Sequence, residues 1–248
     1  MTLSIRLALP HDSAAIYELK VTAFGRYLAY TIYQSPQSVV YLNELIAQGP
    51  KQSNHIFVVA WENEYLAGYY HAVRREQDLF LNYIAVADTA QGQGLGNLLL
   101  QHFEKTAVGY GYKTASLDVF ESNQRAYMWY YSHGYQFSTM SYLARIALST
   151  TMEDGYSVHY SLEELQNAQK EEIKRGFSKI NCECGPGHFT LGLIAGHCCK
   201  LIAYEDLKLS EVVAAINTHW QRMRDELIIS SLTERPTNWI LKDVDKSV

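Results

Sequence analysis

One segment constrains this chain more than any other. An apolar run, Leu79–Val86, is followed by Asp88-Thr89-Ala90-Gln91-Gly92-Gln93-Gly94-Leu95-Gly96-Asn97. Leu95, Leu98, Leu99, His102 and Phe103 then recur at helical spacing, so the glycines join a strand to an amphipathic helix. Glycine lets a backbone turn tightly and approach a ligand closely. The unpaired amides of the helix's first turn add the positive end of its dipole, which suits a pyrophosphate. A dinucleotide-binding βαβ unit needs GxGxxG after a parallel strand; here the spacing is GxGxG and the preceding strands read as an antiparallel meander. Taken alone, the segment fits a phosphate cradle or a turn that only closes a strand–helix junction.

The elements around it follow from pattern. Ser4–Leu9 alternates as a strand. Pro10-His11-Asp12 opens a helix with Asp12 as N-cap and Ile16 and Leu19 on one face. Residues 24–48 carry Phe24, Tyr27, Tyr30, Tyr33 and Tyr41 and are split by Ser35-Pro36 into a loop and a second helix. His55–Trp61 and Tyr65–Arg74 form a hairpin about Glu62-Asn63-Glu64, and Leu79–Val86 continues the meander. Thr114–Val119 is a further strand. A helix over Asn123–Ser132 ends at Gly134.

A second block lies at that point: Leu117-Asp118-Val119, then Asn123, Ala126, Trp129, Tyr130, Gly134 and Tyr135. The two blocks together resemble the GNAT family of acyl-CoA N-acyltransferases. Gln91, Gly94 and Gly96 match its Q/R-x-x-G-x-G/A loop, with Gln91 where Arg is common. Asn123, Ala126, Tyr130, Gly134 and Tyr135 match its N-x-x-A-x-x-x-Y-x-x-x-G-F/Y segment. The resemblance spans roughly residues 4–145. It implies an α/β (α+β) fold: a central mixed, mostly antiparallel sheet flanked by helices. It also implies transfer of an acyl group, most often acetyl from acetyl-CoA, to a primary amine of a small molecule or peptide.

By the same resemblance, the backbone of Ile84, Ala85 and Val86 holds the pantetheine and polarises the carbonyl. Gln91, Gly92, Gln93, Gly94, Leu95, Gly96, Asn97 and Asn123 bind the rest of the cofactor. Tyr130 matches the general acid that protonates the departing thiolate, and Trp129 is a core aromatic. Asp118 is a candidate base, beside Glu121, Asn82, Tyr83, His71 or a water chain. Phe24, Tyr27, Tyr30 and Tyr33 either wall the acceptor groove or pack in the core. His102 and His133 read as surface or satisfied core histidines. The rival class is an acyl-CoA sensor or scaffold without turnover.

Composition separates a second unit. A chain of 248 residues allows one large domain or two small ones. Sixteen of 19 Tyr precede residue 149, while Cys182, Cys184, Cys198 and Cys199 all follow it. The expected division is therefore 1–148, the acyltransferase domain, and 149–248, a smaller α/β unit that covers the acceptor groove or makes a homodimer contact. Net charge is −5, so no general surface for nucleic acid is indicated. No run reads as an export signal or membrane span, and the expected setting is the cytoplasm.

In the second unit, Ser161-Leu162-Glu163-Glu164 is a capping box opening a helix to about Arg175, followed by a strand, Phe177–Glu183. Cys184-Gly185-Pro186-Gly187 resembles the first motif of class I S-adenosylmethionine methyltransferases, with Lys200–Tyr204 as the next strand and Glu205 or Asp206 at its end. Glu183 stands where that motif has its first Gly. The alternative is a hairpin, Phe189–Ile194 with His197–Tyr204, then a helix over Leu209–Leu227; Gly192 and Gly196 favour it. Cys182, Cys184, His188, His197, Cys198 and Cys199 invite a zinc reading, but the CxxC spacing of structural sites is missing. Buried thiols and no metal are expected.

Overall fold

The computed structural model describes residues 3–29, 31–147, 157–220, 224, 226–232 and 241–247. They form two compact units: residues 1–29 with 38–118, and residues 30–37 with 119–248.

The first unit is a five-stranded sheet with helices on both faces. Its elements are β1 (Leu3–Leu7), α1 (Ser13–Phe24), α2 (Ser38–Gln52, broken at Gly49), β2 (His55–Glu62), β3 (Tyr65–Arg74), β4 (Leu79–Val86), α3 (Leu95–Gly109) and β5 (Ala115–Leu117). Strand order is β1-β2-β3-β4-β5. The first four pair antiparallel and β5 joins β4 in parallel, because α3 carries the chain back to the starting edge. The hairpin and the third strand match the sequence reading; β5 is shorter than Thr114–Val119.

Aliphatic and aromatic residues supply the two-sided core of this sheet: Val58, Val59, Tyr69, Tyr70 and Leu79 are all at most 1% exposed. α3 packs Leu95, Leu99 and Phe103 onto one face. Gly68 on β3 makes that approach possible, since a Cβ there would lie 2.9 Å from Leu99 Cδ1 and 3.0 Å from the Ala85 carbonyl. Asp12 occupies the N-cap position of α1 but does not cap it. Its buried carboxylate accepts from both guanidinium nitrogens of Arg6 (2.6 and 3.0 Å) and from the Leu9 amide (2.7 Å). A charge-assisted bidentate pair outcompetes a lone cap bond.

The second unit adds α4 (Gln124–Ser132), β6 (Ser141–Ala147), β7 (Val158–His159), α5 (Leu162–Arg175), β8 (Phe177–Cys184), β9 (Gly187–Ile194), β10 (Cys198–Glu205), α6 (Leu209–Trp220), β11 (Glu226–Leu232) and β12 (Leu241–Ser247). Its sheet runs β12-β6-β11-β10-β9-β8-β7. The capping box of α5 forms as expected. The segment 30–37 belongs to this unit: the Gln34 amide lies 3.0 Å from His197 Nε2.

The methyltransferase resemblance is overturned. Cys184 pairs with Gly187, so Cys-Gly-Pro-Gly is a tight turn between antiparallel strands, and no helix follows it. β9 and β10 form the alternative hairpin. α6, described over Leu209–Trp220, does not reach Leu227, because Glu226 and Leu227 join β10 in parallel register with Cys198 and Cys199. The four cysteines are buried and form no disulfide, Cys182 and Cys184 together on the inner face of β8.

Both units therefore repeat one sequence of elements: a helix, three antiparallel strands, a crossover helix and a parallel fourth strand. α2-β2-β3-β4-α3-β5 is followed by α5-β8-β9-β10-α6-β11.

Candidate active site

In the first unit, β4 and β5 pair through only three residues, Leu79 with Ala115, Phe80 with Ser116 and Leu81 with Leu117. Beyond them the strands part, and Asn82–Val86 run on without a strand partner on that side among the described residues. A β-bulge falls at the same point. His71 on β3 pairs with Tyr83 while Ala72 pairs with Leu81, which leaves Asn82 as the extra residue. The opened edge of β4 carries Ile84, Ala85 and Val86, where an extended ligand could add as a strand would.

The chain then turns into α3. Gly92 (φ 76°) and Gly94 (φ 82°) adopt left-handed backbone that other residues pay to enter, and Gly94 is the N-cap of α3. Gln91, Gly92, Gln93, Gly94 and Asn97 are exposed, and a Cβ on Gly92 or Gly94 would meet nothing within 4 Å. Gln91 and Gln93 turn inward to brace the loop. Gln91 Nε2 donates to the Val86 carbonyl (3.3 Å) and to Asp88 Oδ1 (2.8 Å), and Gln93 Nε2 to the Thr89 carbonyl (3.1 Å). Leu95 is buried, so only its amide faces the loop, next to that of Gly96. The result is an open ring of first-turn amides without an acidic side chain in the turn, an arrangement that binds anions.

Asp118 follows β5 directly. Its side chain reaches solvent, yet the protein around the carboxylate raises its pKa, against the opposing pull of Arg75. In the second unit, Asn123 and Tyr130 lie on α4. Asn123 Oδ1 accepts from the Ala126 amide (3.3 Å), so this side chain caps the helix. Tyr130 packs against Trp129 and Tyr135, and burial pushes its phenol well above the usual tyrosine range. It keeps its proton at neutral pH, as a proton donor must. Glu121 lies before α4, in this second unit.

Sequence reasoning named Asn82, Tyr83 and His71 singly but missed that they meet Lys20 and His55 in a polar cluster beneath the bulge. Lys20 of α1 is fully buried, with Nζ 3.8 Å from the centre of the Tyr83 ring, and its pKa is driven far down by burial. Phe57, His71 and Tyr83 form a cross-strand row on the same face, the Phe57 and His71 rings stacked at 4.0 Å. His71 lies 2.8 Å from His55 Nδ1 and 3.1 Å from the Asn82 amide. Burial first, and the charge of Lys20 second, lower the pKa of both histidines. The hairpin register held the signal, since the turn at 62–64 sets Phe57 opposite His71. Among the expected acceptor-wall aromatics, Phe24 is half-buried with its ring edge-on to Tyr83 (5.0 Å), Tyr27 stacks on Arg26, Tyr33 is buried, and Tyr30 lies outside the described residues. His102 is satisfied by the Tyr70 hydroxyl (2.9 Å), and His133 donates to the Trp129 carbonyl (2.8 Å).

The second unit repeats the parting of strands but not the loop. β10 pairs with β11 as far as Leu201 and Ile229, with a bulge at Ile202. Between Glu205 and Leu209 there is no glycine, and Glu211 Oε2 accepts from the Lys208 amide (2.6 Å) at the start of α6. A carboxylate holds the position an anion would take.

Among the described residues, no group of three or more His, Cys, Asp or Glu could hold a metal ion, and no helix is long and apolar enough to cross a membrane. Residues 15–135 match the sequence model of the acetyltransferase (GNAT) family. A tandem GNAT protein from the clavulanic acid biosynthesis pathway is 9% identical, with a TM-score of 0.65 over 100% of this chain and 98% of its own. A GCN5-related N-acetyltransferase from Kribbella flavida is 11% identical, with a TM-score of 0.59 over 99% of this chain and 70% of its own. The PaiA N-acetyltransferase of Thermoplasma acidophilum, solved in complex with coenzyme A, is 17% identical, with a TM-score of 0.50 over 56% and 92%. At such identities the likeness is one of fold, and it extends over both units.

Proposed function

We propose, from the match of residues 15–135 to the GNAT acetyltransferase family, that the protein transfers an acetyl group from acetyl-CoA to a primary amine by direct attack. The observation that carries this reading is the parting of β4 from β5 beyond Leu81 and Leu117, on the strand that leads into the exposed Gly92–Gly94 loop. An extended pantetheine adds to the freed edge at Ile84–Val86. The pyrophosphate rests on the amides of Gly92 to Asn97.

The amine nitrogen attacks the thioester carbonyl carbon, a C–N bond forms and the C–S bond breaks. A backbone amide of Ile84–Val86 steadies the oxyanion. The amine's proton leaves to Asp118 or to water, and the thiolate takes one from Tyr130, a role supported by a phenol that stays protonated. The chemistry belongs to 1–148 on this reading. The unit over 149–248 contributes to the acceptor groove or to a homodimer and binds no cofactor of its own. The setting is cytoplasmic.

The experiment is intact-protein mass measurement with acetyl-CoA alone and with an amine panel. Direct attack gives an acetylated amine and no acetyl adduct on the protein. An adduct that forms without acceptor and decays on adding amine would replace direct attack with an acyl-enzyme.

A further inference from the structure

The polar cluster under the β4 bulge has a direction. The Asn82 Nδ2 can only donate, so His71 Nδ1, 3.1 Å away, accepts. His71 then carries its proton on Nε2 and donates it to His55 Nδ1 at 2.8 Å. The chain His55–His71–Asn82 thus fixes one orientation of an exposed amide, with Oδ1 turned away from the ring. His71 itself is held flat by Phe57 and is 1% exposed, so the orientation is braced from within the sheet.

The fold does not need this cluster to build a bulge. In the second unit β10 bulges at Ile202, the first residue past the last β10/β11 pair, as Asn82 is the first past the last β4/β5 pair. There Ile202 Cδ1 lies over Gly192, 3.2 Å from where a Cβ would stand. Thr190 sits opposite Ala203, as His71 sits opposite Tyr83, and donates to Asn181 instead. The same backbone device is made once with apolar groups and once with a braced amide. Only the unit with the open glycine loop carries the amide.

We propose that Asn82 Oδ1 receives one N–H of the acceptor amine and turns its lone pair toward the acyl carbon, with His71 and His55 as positioning residues. This inference rests on the function proposed above and adds the side chain that orients the amine. A neutral primary amine has two N–H groups, one for Asn82 and one to lose to the base. A secondary amine has only one and cannot serve both.

The test uses the full chain, acetyl-CoA and the best primary amine from the panel, together with its N-methyl analogue. Asn82→Ala is expected to lower kcat/KM for the amine by about 10–100-fold, the scale of lost orientation, with acetyl-CoA affinity unchanged within about twofold. His71→Leu is expected to follow it, and His71→Asn, which keeps an acceptor atom near the place of Nδ1, to recover most of the loss. The wild type is expected to prefer the primary amine over its N-methyl analogue, and Asn82→Ala to shrink that preference. Asn82 is exposed, so its variant decides the matter even where a His71 variant does not fold. Amine kcat/KM kept within about threefold in Asn82→Ala, or lost in parallel with acetyl-CoA affinity, would overturn the proposal. Absence of turnover by the wild type with every amine would overturn the proposed function as well, and is distinguished by the wild type's own trace.

Discussion

Leu81 and Leu117 are the last residues through which β4 and β5 pair, and the extra residue of the β4 bulge, Asn82, comes immediately after. One step along the strand therefore changes a closed sheet into an open edge, with the glycine loop at its far end. The consequences can each be measured.

Gly94→Glu should abolish acetyl-CoA binding. The new carboxylate would stand at the N-terminus of α3, where the amides are offered to phosphate. Left-handed backbone at φ 82° costs an L-residue about 1–2 kcal/mol, so a thermal midpoint lower by several degrees is expected with the fold intact. Gly94→Ala carries the strain without the charge and should keep most of the affinity. Binding by Gly94→Glu at wild-type strength would remove the loop from the cofactor site.

Tyr130→Phe should lower kcat by about 100-fold with little change in acetyl-CoA affinity. Burial raises the phenol's pKa, so its proton is present throughout the neutral and mildly alkaline range. No descending limb below about pH 10 should arise from this group. A rate unchanged across pH in the variant would show that Tyr130 is only a packing residue.

Asp118→Asn tests the base and carries a sign in stability. The folded pKa lies above its ordinary value of 3.8, mainly through desolvation, so the ionised form is disfavoured by folding. Any stabilising contribution is fully present below the ordinary value and is lost as pH rises through the folded value. The variant should melt at or above the wild type at pH 7.5, and that advantage should fade below about pH 4. If Asp118 is the base, the wild-type rate has an ascending limb displaced upward from 3.8, and the variant lacks it. A variant that melts well below the wild type at pH 7.5 would contradict the desolvation argument.

One acetyl-CoA should bind per chain. The crossover in the second unit offers Glu211 on the Lys208 amide where the first offers Gly92 and Gly94. Calorimetric titration should give a stoichiometry of one, falling to zero in Gly94→Glu. Two sites, or binding that survives this substitution, would contradict it.

The first unit was largely legible in the sequence because its signals are local. Alternation in His55–Trp61 and Tyr65–Arg74, and glycines between a strand and a helix, act over a few residues. The polar cluster was not, because Lys20, His55, His71 and Asn82 come from four elements and meet only through strand register. Asp12 shows how one local signal can override another, its cap yielding to Arg6 six residues earlier. The repeat in the second unit is not legible in the sequence for a related reason. Its glycine loop is replaced by Glu205, Asp206 and Glu211, and a Cys-Gly-Pro-Gly turn imitates a cofactor motif. Topology persists there without the residues that advertise it.

The central claim is that the parted β4 edge and the Gly92–Gly94 loop serve acetyl transfer. Coenzyme A release, followed across a panel of small primary amines and peptides with wild type and Gly94→Glu side by side, tests it most directly. The account predicts acceptor-dependent release by the wild type, a product heavier by one acetyl group on nitrogen, and none from the variant. Tight acetyl-CoA binding by the wild type with no release for any acceptor would contradict it and make the fold a sensor of acyl-CoA.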